Sequence, residues 1–260
     1  MIDSHLHLDD EKLSASVQQI LQDMQQHNVE FVINNSCNYQ SMLDSVVLAK
    51  ENLQVFATVG MHPHESKDFD DLFRTTMQNL ATSCDKVVAV GEIGLDYYYD
   101  LSDRKIQRDV FAEQIEIADK LGLPITLHIR DAYGDAWDIL TAQKKHLNNG
   151  VLWHCYSGSA ELARQGVQLG HFYAFGGAIT FKNAKKEEVL NVIPMDRVLS
   201  ETDSPYMAPV PLRGTLNTPS NIPLIVDKMA QIYGVDVGVM EEQIRKNTLA
   251  FFPRITKYFK

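Results

Sequence analysis

Two histidines near the amino terminus are spaced so that both can bind one metal ion. His5 and His7 lie in a short, mostly apolar segment, residues 1–8, which is typical of a brief buried strand. Successive side chains of a strand point to opposite faces, so the two imidazoles share one face with Asp3. A hydrogen-bonded histidine pair without metal is the alternative. Further ligands at the ends of later strands would favour the metal site.

Later strands do end in such residues, because six of the nine histidines fall at or just after a predicted strand. The side chains in question are those of His5, His7, His62, His64, Glu92, His128, His154 and Asp203. Four imidazoles (His5, His7, His128, His154) and two carboxylates (Glu92, Asp203) are too many for one tetrahedral ion. They suit two adjacent divalent ions. Imidazole-rich ligation favours Zn²⁺, Mn²⁺, Co²⁺ or Ni²⁺ by affinity, and Mg²⁺ by cellular abundance.

The elements that must position these residues alternate along the chain. Apolar runs predict strands at residues 1–8, 30–37, 54–60, 86–91, 124–128, 150–154, 172–175 and 197–203. Helical spacing predicts helices at 13–27, 41–52, 69–84, 104–121, 131–146, 160–169, 185–192, 218–233 and 239–252. Eight strands alternating with helices predict an α/β fold, a single (β/α)8 TIM barrel over residues 1–260. The active site of such a barrel lies at the carboxyl ends of its strands, where the histidines fall.

Composition limits the classes of partner. A net charge of −10 argues against sequence-independent binding of nucleic-acid backbone, although metal ions can still hold a single phosphate. Three cysteines, odd in number and far apart, indicate a reducing compartment. Neither a signal peptide nor an apolar run of membrane-spanning length is visible, so a cytoplasmic protein without a membrane partner is expected.

Several motifs carry a resemblance to a known family. They occupy residues 3–7 (DSHLH), 60–64 (GMHPH), 91–97 (GEIGLDY), 127–130 (LHIR), 154–158 (HCYSG) and 201–206 (ETDSPY), with later pieces at 211–214 and 217–219. On these motifs the sequence resembles, essentially end to end, the TatD-type metal-dependent hydrolases, often described as TatD-related deoxyribonucleases. The resemblance implies a barrel of the metal-dependent hydrolase type that acts on phosphodiesters, DNA in particular. It also implies how the six ligands divide: His5, His7, Glu92 and Asp203 hold one metal, and Glu92, His128 and His154 hold the other, with Glu92 as the bridge.

Three further residues are candidates for substrate binding. His62 and His64 flank Pro63, which fixes the backbone between them, and contact with a substrate phosphate is favoured over metal ligation or loop packing. Arg130 shares a strand face with His128 and can clamp a phosphate oxygen. The alternative for Arg130 is an ion pair with Asp131 or Asp135.

The sequence therefore predicts a divalent-metal-dependent hydrolase that cleaves phosphodiester bonds. We expect a 3′–5′ exonuclease-like deoxyribonuclease acting on single-stranded or terminal DNA, with Asp203 as general base and Glu92 as bridging ligand. The partner would be DNA or another phosphodiester, and the protein a monomer or weak oligomer. Two alternatives remain: a metallohydrolase that cuts a C–N or ester bond of a small molecule, and a non-catalytic partner-binding scaffold.

Overall fold

The computed structural model describes residues 1–184 and 186–258, and its strands form one parallel sheet in chain order. The strands are β1 (Ile2–Leu6), β2 (Phe31–Asn34), β3 (Val55–Val59), β4 (Val87–Asp96), β5 (Ile125–Arg130), β6 (Val151–Trp153), β7 (Phe172–Phe175) and β8 (Val198–Ser200). The α-helices are α1 (Val17–Gln26), α2 (Tyr39–Glu51), α3 (Asp71–Ser83), α4 (Arg104–Leu121), α5 (Tyr133–Ala142), α6 (Ala160–Gln168), α7 (Lys186–Leu190), α8 (Ile222–Tyr233) and α9 (Val237–Phe251). The predicted alternation of strands and helices is confirmed.

Several predicted strand boundaries are wrong, and those of β4 and β8 bear most directly on the predicted ligands. Strand β4 was expected over residues 86–91 and instead continues to Asp96, because Ile93 to Asp96 pair with Leu127 to Arg130 of β5. Strand β8 was expected over residues 197–203 and ends at Ser200. Asp203 has a φ of 58°, which places it in the left-handed region and therefore outside a strand. The predicted helix at 185–192 begins at Lys186, and Lys185 lies outside the described residues.

The described residues fall into two compact units, and the prediction of one domain over residues 1–260 stays a prediction. The first unit comprises residues 1–34 and 155–251. In it β1 pairs with β2, Ile2 facing Phe31, and β7 pairs with β8, Tyr173 facing Val198. Every residue of β1 is buried, although three of its five residues are polar. Because burial of polar groups costs free energy, this pattern indicates a function for those side chains.

The second unit comprises residues 35–154 and 252–258 and contains β3 to β6. Strand β4 is buried along its whole length. Gly94 of this strand has a φ of 141°, and a Cβ atom there would lie 2.1 Å from the carbonyl oxygen of His128. A glycine is thus required where β4 passes β5, and the pairing continues beyond it to set Asp96 opposite Arg130.

Among residues 1–184 and 186–258, none of the helices is both long enough and apolar enough to cross a bilayer.

Candidate metal centre

The first unit brings together three of the predicted ligands. His5 belongs to β1, His7 follows it, and Asp203 lies three residues beyond the end of β8. Two backbone hydrogen bonds join these segments: the Asp203 amide donates to the His5 carbonyl at 2.9 Å, and the His7 amide donates to the Ser204 carbonyl at 2.8 Å. As a result the His7 Nε2 and Asp203 Oδ1 atoms lie 3.7 Å apart, and the rings of His5 and His7 have centroids separated by 5.1 Å.

Asp3 fixes the backbone on both sides of this group. Its Oδ1 atom accepts hydrogen bonds from the amides of His5 and Thr202, at 3.2 and 2.9 Å, and its Oδ2 atom accepts one from the Thr202 hydroxyl. The carboxyl is fully buried, and that burial raises the pKa of Asp3 to about 7 despite these three donors. Asp3 therefore supports the site through backbone groups of both ligand-bearing segments.

Glu201 supports the site in the same manner. It is fully buried, and its Oε1 atom accepts a hydrogen bond of 2.7 Å from the amide of Cys155. Cys155 itself has a φ of 43°, a left-handed conformation at the start of the loop that follows β6. The carboxylate thus stabilises the turn directly after the predicted ligand His154.

The second unit brings together the other predicted ligands around Glu92, which is only 2% exposed. Its Oε1 atom lies 2.8 Å from His128 Nδ1, 3.5 Å from His154 Nε2 and 3.9 Å from His62 Nε2. One ligand atom each from His62, Glu92 and His128 lies within 4.8 Å of the others. His62, predicted as a phosphate contact, therefore lies at ligand distance as well.

The spacing of these donor atoms fits divalent metal ions. Two donor atoms that bind the same ion at about 2.1 Å are separated by about 3.0 Å in octahedral and about 3.4 Å in tetrahedral geometry. The Glu92–His154 distance of 3.5 Å and the His7–Asp203 distance of 3.7 Å are close to that range. Buried imidazole nitrogens and carboxylate oxygens are the donors that Zn²⁺, Mn²⁺ and Co²⁺ accept.

His128 lies between two carboxylates. Its Nδ1 atom is 2.8 Å from Glu92 Oε1, and its Nε2 atom is 2.9 Å from Asp96 Oδ2. Burial lowers the pKa of His128, but the hydrogen bonds to Asp96 and Glu92 outweigh it and hold that pKa above its ordinary value. The imidazole is thus fixed in orientation, and binding of an ion by one of its nitrogens must displace a proton.

Asp96 was not among the residues singled out from the sequence, yet it organises the cluster in the second unit. It is fully buried, and its Oδ2 atom accepts hydrogen bonds from His64 Nε2 at 3.0 Å and from His128. Burial alone would raise the pKa of Asp96, but the hydrogen bonds from His128 and His64 hold it well below its usual range. A signal existed, because residues four apart on a strand share a face and Asp96 follows Glu92 by four.

Substitution of Asp96 by asparagine should weaken metal binding without unfolding the protein. An amide of the same shape presents N–H groups where the imidazoles need an acceptor, so His64 and His128 lose their fixed orientation. We expect metal affinity to fall about 10- to 100-fold, the usual effect of removing such a partner. Equilibrium dialysis against a chelating dye measures it, with Asp135→Asn as control. Unchanged affinity would show that His128 is oriented by other groups.

The remaining predicted substrate contacts lie beside this cluster. The side chain of His64 is 23% exposed, and its ring lies 4.3 Å from that of His62, centroid to centroid. The Arg130 guanidinium lies over the rings of Tyr98 and Tyr99, at 3.8 and 4.8 Å.

One of the two alternative partners for Arg130, Asp135, already has other partners. Asp135 accepts a hydrogen bond of 2.6 Å from the Tyr97 hydroxyl and lies 3.3 Å from Arg108. Arg130 is thus placed by aromatic stacking, and its position two residues after His128 on β5 keeps it beside the metal cluster.

The fold and these clusters together define a class, the (β/α)8 proteins with metal-binding residues at their strand ends. The particular family follows from the sequence match. The model of the TatD related DNase family matches residues 2–253. The chain belongs to that family, so the resemblance found in the motifs is confirmed.

Individual relatives match over nearly their whole length. The chain is 35% identical over 233 residues to the Bacillus subtilis protein named uncharacterized metal-dependent hydrolase YabD, covering 89% of this chain and 91% of the relative. It is 34% identical over 259 residues to the Escherichia coli K12 protein named uncharacterized metal-dependent hydrolase YcfH, covering 97% and 95%. The crystal structure of the Escherichia coli K12 TatD homolog YjjV matches with a TM-score of 0.91 at 28% identity, covering 97% and 98%. These matches confirm the predicted (β/α)8 fold.

Proposed function

We propose that this protein is a divalent-metal-dependent hydrolase that cleaves phosphodiester bonds, and that DNA is its substrate. One observation carries the proposal: a buried carboxylate oxygen of Glu92 lies within 3.9 Å of nitrogens of three histidines. Burial of these Lewis bases costs desolvation free energy unless cations bind them. The description of the matched family supports deoxyribonuclease activity, and the names of the curated relatives support metal-dependent hydrolysis.

Two ions would be shared among six ligands. We assign His5, His7, Glu92 and Asp203 to the first ion and Glu92, His128 and His154 to the second. Support comes from the chemistry of the donors and from their positions. Each lies in the carboxyl-terminal half of a strand or just after a strand, and the carboxyl ends of the strands form the active face of barrel enzymes. Glu92 would bridge, and its negative charge would offset the repulsion between two dications.

The protein's own residues would divide the chemical work. Bound divalent ions supply Lewis acidity at the phosphoryl oxygens and lower the pKa of a water molecule toward neutrality. Asp203, whose side chain is 17% exposed, would accept the proton of the attacking water as general base. His62, His64 and Arg130 would hold the phosphate oxygens, and these cationic or hydrogen-bonding groups favour a phosphate over an amide substrate.

The form of the DNA follows from the charge of the chain. With a net charge of −10 the protein is poorly suited to hold a long duplex by its backbone. We therefore propose exonuclease action on single-stranded or terminal phosphodiesters, and we retain the 3′–5′ direction as the expectation to be tested.

A turnover assay tests the activity. Chelator treatment should abolish hydrolysis of labelled single-stranded DNA, and Mn²⁺, Co²⁺ or Mg²⁺ should restore it, because the six ligands have no catalytic value without ions. Linear single strands should be digested faster than closed circular DNA is nicked. Full activity of metal-free protein would refute metal dependence. Turnover of small amides or carboxylic esters without turnover of any phosphodiester would favour a C–N or ester hydrolase instead.

A further inference from the structure

Three side chains beside the metal cluster form a partly exposed stack, and the proposed chemistry uses only one of them, Arg130. Tyr98 and Tyr99 follow the end of β4 and are 58% and 53% exposed. Their ring centroids lie 5.0 Å apart in an edge-to-face arrangement. The guanidinium of Arg130 lies over both rings, 3.8 Å from the centroid of Tyr98 and 4.8 Å from that of Tyr99. Two aromatic rings and a cation thus face solvent together at the border of the site.

The stack is fixed to the catalytic cluster by Asp96. The Oδ1 atom of Asp96 accepts hydrogen bonds from the amides of Tyr98 and Tyr99, at 3.0 and 2.8 Å. The other oxygen of the same carboxylate accepts from His64 and His128. The rings of Tyr99 and His64 are 5.3 Å apart. One buried carboxylate therefore positions both the imidazoles and the tyrosine backbone.

The neighbouring Tyr97 has a structural role that Tyr98 and Tyr99 do not share. Its hydroxyl donates to Asp135 at 2.6 Å and accepts from Arg108 at 3.2 Å, and Arg104 lies 4.4 Å from its ring centroid. Tyr97 thus joins α4 to α5 through polar contacts at its hydroxyl. Tyr98 and Tyr99, in contrast, keep more than half of their surface in solvent, and that exposure leaves apolar area for a ligand.

We propose that Tyr98, Tyr99 and Arg130 form a platform on which an unpaired nucleobase stacks, next to the phosphodiester that is cleaved. This inference rests on the proposed function and names the part of the substrate that the site recognises beyond the phosphate. Exposed aromatic rings interleaved with arginine are the usual surface on which single-stranded bases stack, whatever their sequence. A guanidinium uses its face for stacking, so its N–H edge remains able to donate to a phosphate oxygen.

The platform also accounts for a preference for single strands. Both faces of a base inside a duplex are covered by neighbouring base pairs, so only a frayed or unpaired base can lie on the tyrosines. A terminal nucleotide satisfies that requirement at the lowest cost. Recognition by stacking would thus restrict cleavage of a duplex to its ends without contacts to base edges.

Two phosphodiesters that differ only in the nucleoside provide the test. Thymidine 5′-phosphate p-nitrophenyl ester and methyl p-nitrophenyl phosphate release the same leaving group, but only the first carries a base. We expect the double substitution Tyr98→Leu/Tyr99→Leu to lower kcat/KM for the thymidine ester about tenfold more than for the methyl ester, mostly through KM, as expected for loss of base stacking. The Tyr98→Phe/Tyr99→Phe variant should retain the wild-type ratio, because its rings remain. Tyr39→Leu, which changes an exposed tyrosine elsewhere in the same unit, is the control.

Binding provides a second readout that needs no turnover. Metal-free protein should bind a short single-stranded oligonucleotide more tightly than the same strand with an abasic 3′ end, as measured by fluorescence anisotropy. The double leucine variant should lose that difference. If wild type hydrolyses both esters and the leucine variant keeps the wild-type ratio, the platform is refuted while the proposed function stands. If wild type hydrolyses neither ester with any metal, the proposed function fails and the binding experiment alone decides the platform.

Discussion

Replacement of Glu92 by alanine is expected to give a folded protein that binds about one metal ion instead of two and has almost no turnover. The carboxylate is 2% exposed, and it lies 2.8 Å from His128 and 3.5 Å from His154. Without it the second ion would retain only His128 and His154, whereas the first would retain His5, His7 and Asp203. The second ion therefore loses proportionally more of its ligands, and two imidazoles alone hold a divalent ion weakly.

Metal analysis, a melting curve and kinetics on one sample decide this prediction. Glu113→Ala is a matched control that should keep both ions. It removes a carboxylate of α4 that pairs with Arg74 of α3. Glu92→Gln preserves the volume and removes the charge, so its metal content separates a packing effect from a ligand effect. Two tightly held ions in the alanine variant would mean that Glu92 is not the bridge.

Activity should not depend on bicarbonate, because Glu92 supplies the bridging carboxylate directly. A carbamate formed on a lysine side chain could otherwise supply the bridging oxygens. Lys86, which lies in the segment predicted as strand β4, is not available for that role. It precedes the strand, and its Nζ atom donates to the carbonyls of Ala49 and Asn52, each at 2.6 Å. Burial lowers the pKa of Lys86 to about 8, but the group lies at the end of β4 opposite to Asp96.

The order of the elements could be predicted from the sequence because strands buried on both faces leave continuous apolar runs between amphipathic helices. Helix α4 and strand β7 have the predicted bounds. The extension of β4 could not be predicted, because Gly91 and Gly94 give that segment the composition of a loop. Close packing explains the glycines: a Cβ atom on Gly91 would lie 1.6 Å from the Thr126 hydroxyl oxygen.

The candidate site could be predicted where it depends on strand ends and alternation alone. His5 with His7, and Glu92 with His128, are grouped in the structure as the strand faces indicate. Contacts that depend on the register between strands were not predictable. The pairing of Asp96 with Arg130 across β4 and β5 brings Arg130 to the tyrosines, and Asp3 meets Thr202 from 199 residues away. Neither register nor distant hydrogen bonds leave a periodic signal in a single sequence.

The Asp203→Asn variant should fold as the wild type does and lose at least about 100-fold in turnover, the usual scale for removal of a general base. Folding should survive because the φ of 58° at Asp203 is a left-handed conformation that asparagine adopts as readily as aspartate. The backbone hydrogen bond from residue 203 to the His5 carbonyl is also retained, since it uses only the amide. An amide cannot accept the proton of an attacking water at neutral pH, and it is a weaker ligand than a carboxylate.

Metal titration distinguishes those two roles of Asp203. If the residue acts as base, turnover of the variant should stay low at metal concentrations that saturate both sites. Recovery of turnover at those concentrations would instead assign Asp203 to ligation alone. Asp196→Asn, at an exposed aspartate before β8, is the matched control and should retain full turnover. A rate for Asp203→Asn close to that of wild type would remove Asp203 from the mechanism.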